Sequence, residues 1–527
     1  MQKFTFNRQL TGLFTEQQNL FAYEQDQLLQ FLGHAFTKGN FQKQIAAKAK
    51  NYSAELRSNL VHELEKKYSV EASSEVKANL DLLKKEETYT ITTGHQLNIF
   101  TGPIYFIYKI LHVIRLTEEL KKEYPENHFV PVFWMASEDH DLDEIRSVNV
   151  FGKELTWQTD QQGPVGRMDC TDLAVLKDEL NSFYGNHPES EVADLLNKYS
   201  GENLAEATFN LVNALFGSYG LLIVDGDNPT FKKSFLPFME KELKEEFSHH
   251  EVLKTNERIV KEGFKTQVNP REINLFYLSE QSRSRILKNE QGFFIEGLGN
   301  LSSESLFQLL HDHPESFSPN VILRPLYQEV ILPNLCYVGG VGELTYWMQL
   351  KGVFEHVGIT YPMIQARTSM LWIDAGTAKK MEKNGLLLED LFEDLVQLKK
   401  RFLSEIASDE INFDELNQHL EQLKVTLYSK INQVDTGLQK YAEAELVRID
   451  KQIESVKEKL TRSVKQQHET LIRSIDQISE KLFPGGGLQE RSLNLFTMCP
   501  DGKVFDRIAQ LYKSIDPFDP DFVILQE

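Results

Sequence analysis

The amino-acid sequence predicts an α/β protein with a Rossmann-like parallel sheet core and a separate α-helical coiled-coil domain. Two observations predict the core: short apolar, β-branched runs alternate with helical stretches, and several of these runs end in glycine or acidic turns. A third predicts the second domain, because the chain beyond Asp374 is nearly free of proline and rich in helix-forming residues as far as Leu482. A chain of 527 residues is also too long for one compact core.

Roughly the first 85 residues place apolar and charged positions at helical spacing, as in LRSNLVHELEKKY, and predict a helical N-terminal layer. The β-branched run TYTITTG, from Thr88 to Gly94, predicts a strand, and IYFIYKILHVIRLTEELKKEY predicts the helix that follows its loop. The next apolar run, HFVPVFWMAS, stops at Glu138 and predicts a second strand with polar residues at its carboxyl end. These segments form a predicted βαβ unit.

Three further strands are predicted to complete the sheet. They lie in GLLIVDGDNP, in CYVGGVGE, which ends in a glycine turn, and in YPMIQAR; LTYWMQLKGVFEHVG between the last two predicts a helix. The signals are mixed over 151–219 and 250–319, and we interpret both stretches as insertions, the second with the strand-like pieces INLFYLS and GFFIEGL. The catalytic core with its N-terminal layer is therefore predicted to span 1–375.

The predicted coiled-coil domain spans 376–483. Asp435-Thr436-Gly437 marks a point where the helix reverses or merely bends, and we favour an antiparallel hairpin. The coil is predicted to end at Pro484 and the glycines after it, and residues 484–527 are predicted to return to the core. The apolar residues that step by three and four, as in a coiled-coil seam, are Leu416, Leu420, Leu423, Leu427, Leu446, Ile449, Ile453, Val456, Leu460, Leu471, Ile475, Ile478 and Leu482.

Composition excludes several classes of protein. With 57 basic and 78 acidic residues the net charge is -21, which disfavours a nonspecific binder of nucleic acid, because phosphate contacts need a basic surface. No stretch approaches the roughly 20 apolar residues that span a bilayer, and the N-terminus lacks the pattern of a targeting segment, so a cytoplasmic protein is expected. The 3 scattered cysteines argue against a disulfide framework or a zinc knuckle.

The loop TTGHQLNIFTGP is the first candidate binding site, because ligands of open parallel sheets bind beyond the carboxyl ends of the strands. Gly94 lets the chain leave the strand without a Cβ clash, and Thr101 and Gly102 are predicted to offer unpaired backbone amides to an anionic cofactor. An ordinary tight loop with a helix cap explains the local pattern equally well. The side chains expected to contact ligands here are His95 for the cofactor and Gln96, Asn98, Tyr105 and Lys109 for the substrates.

The segment EDHDLDE concentrates acids around one histidine directly after a strongly apolar strand. Neighbouring carboxylates push one another's pKa values apart and a histidine titrates near neutrality, so we expect Asp139, His140 and Asp141 to be catalytic. Glu138 and Asp143 are expected to contact substrate. Recognition of a substrate ammonium, binding of Mg²⁺ and an acidic helix start favoured by the macrodipole are the alternatives. No tightly bound metal is predicted, because the histidine lacks a partner at zinc spacing.

Two later segments complete the predicted site. The glycines of CYVGGVGE would allow a close approach of the backbone to a ligand, although a glycine-rich turn explains them equally well, and the pattern is neither a dinucleotide fingerprint nor a Walker loop. An arginine just after YPMIQA suits a carboxylate or phosphate held bidentately, or a surface ion pair. The residues expected to bind substrate are Arg324, Gln328, Gly339, Gly340, Glu343, Tyr346 and Arg367.

Taken together, TTGHQLNIFTGPIYFIYKI, PVFWMASEDHDLDE, LRPLYQEVILPNLCYVGGVGELTYW and LFPGGGLQERSLN resemble the cysteine ligase family of bacillithiol biosynthesis. The resemblance covers essentially the whole chain, and the ordered set of segments is far more specific than any single motif. It implies a Rossmann-type core with inserted connecting segments, similar to class I nucleotidyltransferases and aminoacyl-tRNA synthetases. It also implies a coiled-coil domain that forms a homodimer.

The reaction that the resemblance implies joins the carboxyl group of L-cysteine to the amine of glucosaminyl-malate and gives bacillithiol. A carboxylate and an amine do not condense at neutral pH without activation, so ATP with Mg²⁺ or another activator is expected. The loop amides with His95 would then steady phosphate charge, and the expected catalytic residues would hold the cysteine ammonium or deprotonate the attacking amine. Arg324 or Arg367 would bind the malate carboxylates.

Two functions of other classes stay open on the sequence alone. The first is a metal-dependent hydrolase built on EDHDLD with His95, which metal analysis and chelation would separate from a ligase. The second is a non-catalytic scaffold in which the coiled coil is the interaction surface. The clustering of polar residues at the strand ends favours an enzyme over a scaffold, because a scaffold has no need of it.

Overall fold

The computed structural model describes residues 1–69, 72–410 and 413–527. The chain forms two compact units, one of Met1–Leu371 with Glu490–Leu525 and one of Trp372–Gln489 with Gln526–Glu527. Across these described ranges, no helix combines the length and the apolar character needed to cross a membrane.

The strands are numbered in chain order. They are β1 (Gln2–Phe6), β2 (Thr88–His95), β3 (His128–Met135), β4 (Ser147–Val150), β5 (Lys153–Thr156), β6 (Leu222–Asp225), β7 (Leu275–Leu278), β8 (Arg283–Asn289), β9 (Gly292–Ile295), β10 (Gly299–Leu301), β11 (Phe317–Pro319), β12 (Asn334–Gly339), β13 (Met363–Ala366), β14 (Met370–Ile373) and β15 (Phe522–Gln526).

The α-helices are also numbered in chain order. They are α1 (Arg8–Thr11), α2 (Glu16–Tyr23), α3 (Phe41–Asn51), α4 (Ala54–Lys67), α5 (Ser74–Leu83), α6 (Tyr105–Glu123), α7 (Leu142–Ile145), α8 (Leu173–Ser182), α9 (Val192–Lys198), α10 (Leu204–Phe216), α11 (Pro229–Glu245), α12 (Phe247–Lys261), α13 (Ser303–Asp312), α14 (Arg324–Ile331), α15 (Val341–Gln349), α16 (Lys351–Val357), α17 (Ala375–Lys383), α18 (Leu395–Glu410), α19 (Asp414–Val434), α20 (Gln439–Gln467), α21 (Glu469–Leu482) and α22 (Val504–Ser514).

A five-stranded sheet of order β13–β12–β2–β3–β6 forms the centre of the first unit, and every neighbouring pair in it is parallel. The predicted Rossmann-like parallel sheet is therefore confirmed, strand by strand. From β2 the chain adds β3 and β6 on one side and later returns to place β12 and β13 on the other. The order thus reverses between β2 and β12, and ligands of such sheets bind at the carboxyl ends of the strands at this point.

The two stretches interpreted as insertions have structures of their own. The first contains β5, which pairs antiparallel with β4 just before the predicted start of the insertion, and helices α8 to α10. The second contains an antiparallel sheet of order β10–β9–β8–β7–β11, and the strand-like pieces INLFYLS and GFFIEGL form β7 and β9 in it, as predicted. This second sheet forms one wall of the site described below.

The first 85 residues form α1 to α5, as predicted, together with β1, which the sequence does not predict. Five residues with little alternation give too weak a signal for a strand, and β1 is fixed by pairing in a small sheet of order β1–β15–β14. A buried cluster joins α3 and α6 to the central strands and consists of Phe41, Tyr89, Ile91, Val113, Leu116, Leu120, Phe129, Leu335, Cys336, Val338 and Met363.

Helices α19 and α20 of the second unit form an antiparallel hairpin that turns at residues 435–438. Lys424 pairs with Asp450 at 3.1 Å, and Lys457 donates to the side chain of Asn417 at 2.7 Å, so residues that lie equally far from the turn face each other. The favoured antiparallel hairpin is therefore confirmed. Several apolar side chains of the hairpin stay exposed in the single chain, at 51% for Leu423 and 54% for Val456.

Candidate active site

A cavity of about 840 Å³ opens at the carboxyl ends of β2, β3 and β12, where the strand order of the central sheet reverses. One wall comes from these strand ends and from α14 and α15. The opposite wall comes from the second insertion, through residues 269–273 and 283–288. Concave sites of this kind at a topological switch point are the usual ligand sites of open α/β sheets.

Buried charge closes the floor of this cavity. The Lys109 ammonium, 1% exposed, donates to the Gly94 carbonyl at 2.8 Å and forms an ion pair with Glu343. Glu343 also accepts from the Tyr337 hydroxyl at 2.5 Å and from the Gly340 amide at 3.2 Å. Burial alone would raise the pKa of Glu343, but Lys109 and these hydrogen bonds hold it below its ordinary value. The floor therefore carries a fixed pair of charges.

The imidazole of His95 lies against the rings of Phe106 and Tyr105, with centroids 4.8 Å and 5.3 Å away. Burial, helped by the positive charges of Lys109 and Arg367, holds the pKa of His95 well below 6.5, so the ring is neutral. Within the described ranges its Nε2 atom is buried and has no hydrogen-bond partner. A neutral ring nitrogen is thus available at the cavity, either to donate or to accept.

The loop between β2 and α6 has an unusual backbone. Phe100, Thr101 and Gly102 are successive residues with φ values of 51°, 70° and 59°. Residues other than glycine rarely adopt this left-handed region of backbone conformation. The buried Asn494 amide stabilises them by donating to the carbonyls of Phe100 and Gly102 at 2.9 Å and 2.7 Å. The Gly102 amide donates to Ile99 at 2.9 Å, so the predicted unpaired amide at this residue is wrong.

The acidic segment after β3 is divided between two cavities. Glu138 and Asp139 line the large one, whereas His140, Asp141 and Asp143 line a second cavity of about 810 Å³. The structure therefore does not bring the three expected catalytic residues into one site. The physical reason is the turn of the chain at His140, because Asp141 caps the next helix by accepting from the backbone of residue 144.

Asp139 and Glu138 differ in their surroundings. Asp139 accepts from the Gln96 amide at 2.9 Å and from the His140 backbone at 2.8 Å, and these bonds with the nearby Arg283 guanidinium hold its pKa well below the ordinary range despite burial. Burial raises the pKa of Glu138, although its carboxylate is paired with the fully buried Lys232 ammonium. Asp139 is thus a permanent carboxylate, and Glu138 is the more basic of the two.

Arg283 is a site residue that sequence reasoning missed. Its guanidinium reaches Asp139 at 3.4 Å and His140 at 3.5 Å, and it donates to the Ser318 hydroxyl and the Pro319 carbonyl at 3.1 Å and 2.9 Å. It lines both cavities and forms part of the wall between them. The strand-like piece INLFYLS indicated β7, the strand before Arg283. The pairing register that turns Arg283 toward the acidic segment depends on the tertiary structure, so the sequence did not show it.

Arg324 and Arg367, the two arginines expected to bind carboxylates, have different surroundings. Arg324 lines the large cavity, donates to Gln328 at 3.1 Å and to the Tyr346 hydroxyl at 3.3 Å, and forms no ion pair with a carboxylate of the described residues. Arg367 is buried, and its guanidinium is paired with Glu490 at 2.7 Å. Arg324 is thus the arginine whose charge is available to an anionic ligand.

The predicted site residues fall into three groups. Those that line the large cavity are Gly94, His95, Gln96, Tyr105, Lys109, Glu138, Asp139, Arg324, Glu343 and Tyr346. Those that line the second cavity are His140, Asp141 and Asp143. The structure places the others beside or behind these walls: Asn98, Thr101, Gly102, Gln328, Gly339, Gly340 and Arg367.

The fold defines a Rossmann-like protein with a cavity lined by charged residues at its switch point. The family model described as the N-terminal Rossmann-like domain of bacillithiol biosynthesis BshC matches residues 7–368, and the model of the BshC C-terminal coiled-coil domain matches 370–527. The chain therefore belongs to the BshC family of bacillithiol biosynthesis.

Curated relatives agree with this assignment. A protein of Flavobacterium johnsoniae named "Putative cysteine ligase BshC" is 38% identical over 522 residues, which cover 98% of each chain. Proteins of the same name from Christiangramia forsetii and Bacillus cereus are 37% and 28% identical and cover 92% and 83% of this chain, and 92% and 84% of their own. A structure described as a putative arginyl tRNA synthetase from Campylobacter jejuni covers 81% of this chain and 92% of its own at 10% identity, but its TM-score of 0.23 does not establish a shared fold.

Proposed function

We propose that this chain is a ligase that joins the carboxyl group of L-cysteine to the amine of glucosaminyl-malate through an amide bond, the last step of bacillithiol biosynthesis. Membership of the BshC family and the name cysteine ligase carried by its relatives support a ligase. The observation that carries the proposal is the charge arrangement of the large cavity. It combines the permanent carboxylate of Asp139 with the guanidinium of Arg324, which forms no ion pair with a carboxylate of the described residues.

These charges match those of the two substrates. Cysteine brings an ammonium, which the Asp139 carboxylate suits, and glucosaminyl-malate brings carboxylates, which the planar guanidinium of Arg324 suits. The substrates would therefore be oriented by opposite charges in one water-poor cavity. Such positioning of two reactants is itself a large part of catalysis of a bimolecular reaction.

The bond changes require a proton acceptor near the amine. As the nitrogen forms its bond to the activated carboxyl carbon, the bond from that carbon to its leaving group breaks and the nitrogen loses a proton. Glu138 suits this step, because burial raises its pKa and makes its carboxylate a better base than Asp139. The ion pair with Lys232 holds the Glu138 carboxylate in place. Glu138 thus replaces the triad of Asp139, His140 and Asp141 as our proposed proton acceptor.

ATP with Mg²⁺, or another activator of the cysteine carboxyl group, is part of this proposal. The predicted phosphate contacts at Thr101 and Gly102 do not fit it, because the Gly102 amide is paired with Ile99 and neither residue is among those that line the large cavity. We derive no step through a nucleotide. The carboxyl group must nevertheless be activated before the amine attacks it, since the described side chains contain no activating group of their own.

A homodimer formed by the second unit belongs to the same proposal. Leu416, Leu423, Leu427 and Leu460 lie at predicted seam positions and are 41%, 51%, 37% and 43% exposed in the single chain. Apolar side chains at coiled-coil spacing stabilise a bundle only when a partner covers them. A second copy of this chain is the partner that the family resemblance implies.

The ligase is tested by incubating the purified protein with glucosaminyl-malate, L-cysteine and ATP with magnesium, omitting one component at a time, and detecting bacillithiol by mass spectrometry. Product is expected only when both substrates are present. The Glu138→Gln variant is expected to lose turnover about 100-fold, as is typical for removal of a general base. Asp178→Asn, whose side chain is exposed and lines neither cavity, is the control and is expected to retain turnover. Equal rates in both variants would contradict the role of Glu138.

A further inference from the structure

A buried ion pair lies behind the wall of the large cavity, away from any ligand. Lys48 of α3 is 2% exposed and Glu329 of α14 is 1% exposed. The Lys48 ammonium donates to the Glu329 carbonyl at 2.8 Å and lies 3.5 Å from its Oε2 atom. Burial lowers the pKa of Lys48 and raises that of Glu329, and the charge of each group opposes the shift of the other. A pair of this kind needs a physical reason.

Stability alone is a weak reason. Removing two charges from water costs several kcal/mol per ion, and apolar residues of similar volume often stabilise a protein as well or better. The pair is, however, connected to other polar groups. The second oxygen of the carboxylate, Oε1, accepts from the Asn334 amide at 2.7 Å and from the Gln328 amide at 3.0 Å. The pair therefore fixes the side chains of two neighbours.

Gln328 connects Glu329 to Arg324 at the cavity, because the orientation of its side-chain amide is fixed by Glu329. Its Nε2 donates to Glu329, so its Oε1 must face the other way, and Oε1 accepts from the Arg324 guanidinium at 3.1 Å. Without the Glu329 carboxylate the Gln328 amide could rotate and present Nε2 to Arg324, which would repel the guanidinium instead of binding it. The guanidinium also donates to the Tyr346 hydroxyl at 3.3 Å and lines the cavity with it.

We infer that Lys48 and Glu329 are positioning residues, which act through Gln328 to hold the Arg324 guanidinium in the orientation that receives a carboxylate of the anionic substrate. The inference rests on the proposed function, in which Arg324 binds glucosaminyl-malate. It follows from a continuous series of contacts from Lys48 through Glu329 and Gln328 to Arg324. Bidentate recognition of carboxylates depends on the plane of the guanidinium, so its orientation matters as much as its charge.

The structure offers a matched control on the same helix. Gln44 lies one turn before Lys48, is fully buried, and donates to the Tyr361 carbonyl at 2.9 Å. Its contacts do not lead to Arg324. Gln44→Met and Lys48→Met therefore both remove a buried polar group from α3, but only Lys48→Met disturbs the series of contacts.

The test is the dissociation constant of glucosaminyl-malate, measured by isothermal titration calorimetry on the full chain without an activator. Lys48→Met, Glu329→Gln and Gln328→Leu are each expected to weaken binding about tenfold, the value of one charge-assisted hydrogen bond, and Arg324→Met to weaken it more. L-cysteine binding is expected to stay within about twofold of the wild type in these variants. Gln44→Met is expected to bind both substrates as the wild type does.

The outcomes separate the inference from the function on which it rests. If the wild type does not bind glucosaminyl-malate, or Arg324→Met binds it normally, the proposed role of Arg324 fails and the inference fails with it. If Arg324→Met is impaired but Gln328→Leu and Lys48→Met behave like Gln44→Met, the positioning role is overturned and the function stands. Glu329→Gln keeps the volume of the side chain and removes its charge, so it decides the question where Lys48→Met does not fold.

Discussion

The two units differ in which side chains they bury and which they expose. The sheet unit buries ion pairs, among them Lys109 with Glu343 and Lys48 with Glu329, close to or behind the large cavity. The coiled-coil unit instead exposes apolar side chains at seam positions, such as Leu423 at 51% exposure. Burying ion pairs and exposing apolar side chains both cost free energy in an isolated domain. The difference agrees with the proposed function, in which the first unit holds charged substrates and the second unit pairs with a second copy of this chain.

The largest expected effect concerns the pair on the cavity floor. Lys109→Met leaves the Glu343 carboxylate, whose side chain is 27% exposed, without its buried counter-ion, which is expected to lower the free energy of unfolding by about 3 kcal/mol, the lower end for breaking a buried pair. Urea denaturation monitored by circular dichroism measures this loss. Turnover is expected to disappear together with stability, because the same charges shape the cavity.

Lys122→Met is the control for this prediction. Lys122 lies on the same helix and pairs with Glu119 at 2.7 Å, but its side chain is 68% exposed. Exposed pairs of this type contribute less than about 1 kcal/mol. If both variants lost the same free energy of unfolding, the ion pair of the cavity would contribute no more than an exposed pair. The buried ion pairs would then not set the sheet unit apart from the coiled-coil unit.

The next effect concerns the apolar seam of the second unit. Leu423→Glu and Leu460→Glu place charges at seam positions and are expected to destabilise the proposed dimer by about 2 kcal/mol each, the value of burying one leucine. Light scattering after gel filtration is expected to show a shift toward the 60.9 kDa monomer.

Val425→Glu is the matched control, because Val425 is exposed on the same helix but lies outside the predicted seam. It is expected to leave the mass unchanged. A wild-type chain that is already a monomer at micromolar concentration would remove the proposed dimer, and with it the explanation for the exposed leucines.

The strands of the central sheet could be predicted from sequence because each carries a local signal. TYTITTG, HFVPVFWMAS and YPMIQAR are short apolar or β-branched runs with clear ends, and they form β2, β3 and β13. The carboxyl ends of parallel strands meet at one edge, so local signals were also enough to select Gly94 and Glu138 for the large cavity.

Contacts that depend on the folding of distant segments could not be predicted in this way. Arg283 reaches Asp139 across 144 residues, and Arg367 finds Glu490 across 123 residues. Sequence reasoning therefore missed the first arginine and left the second open between a ligand contact and a surface ion pair, whereas the structure places it in a buried ion pair. The division of the acidic segment at His140 has the same origin, because the walls of both cavities come from an insertion whose position no local pattern encodes.

The smallest expected effect is a dependence of stability on pH from one unpaired carboxyl in the sheet unit. Burial and the nearby Asp227 carboxylate raise the pKa of Asp225 to about 6, well above its ordinary value of 3.8. The folded chain then binds more protons than the unfolded chain between these two values, so stability falls as pH rises. From pH 5.5 to 7.5 the free energy of unfolding is expected to fall by about 1 kcal/mol more in the wild type than in Asp225→Asn.

Urea denaturation at the two pH values measures this difference, with Asp143→Asn as an exposed control that keeps the wild-type pH dependence. Identical pH dependence in the wild type and Asp225→Asn would show that Asp225 titrates as an ordinary carboxyl. The hydrogen bonds that Asp225 accepts from the Ser137 hydroxyl and the Asp227 backbone amide would then be enough to keep it a carboxylate. The predicted slope would instead show that this unit also retains a buried acid whose nearest charged neighbour is another acid, which is the arrangement that keeps a proton near neutral pH.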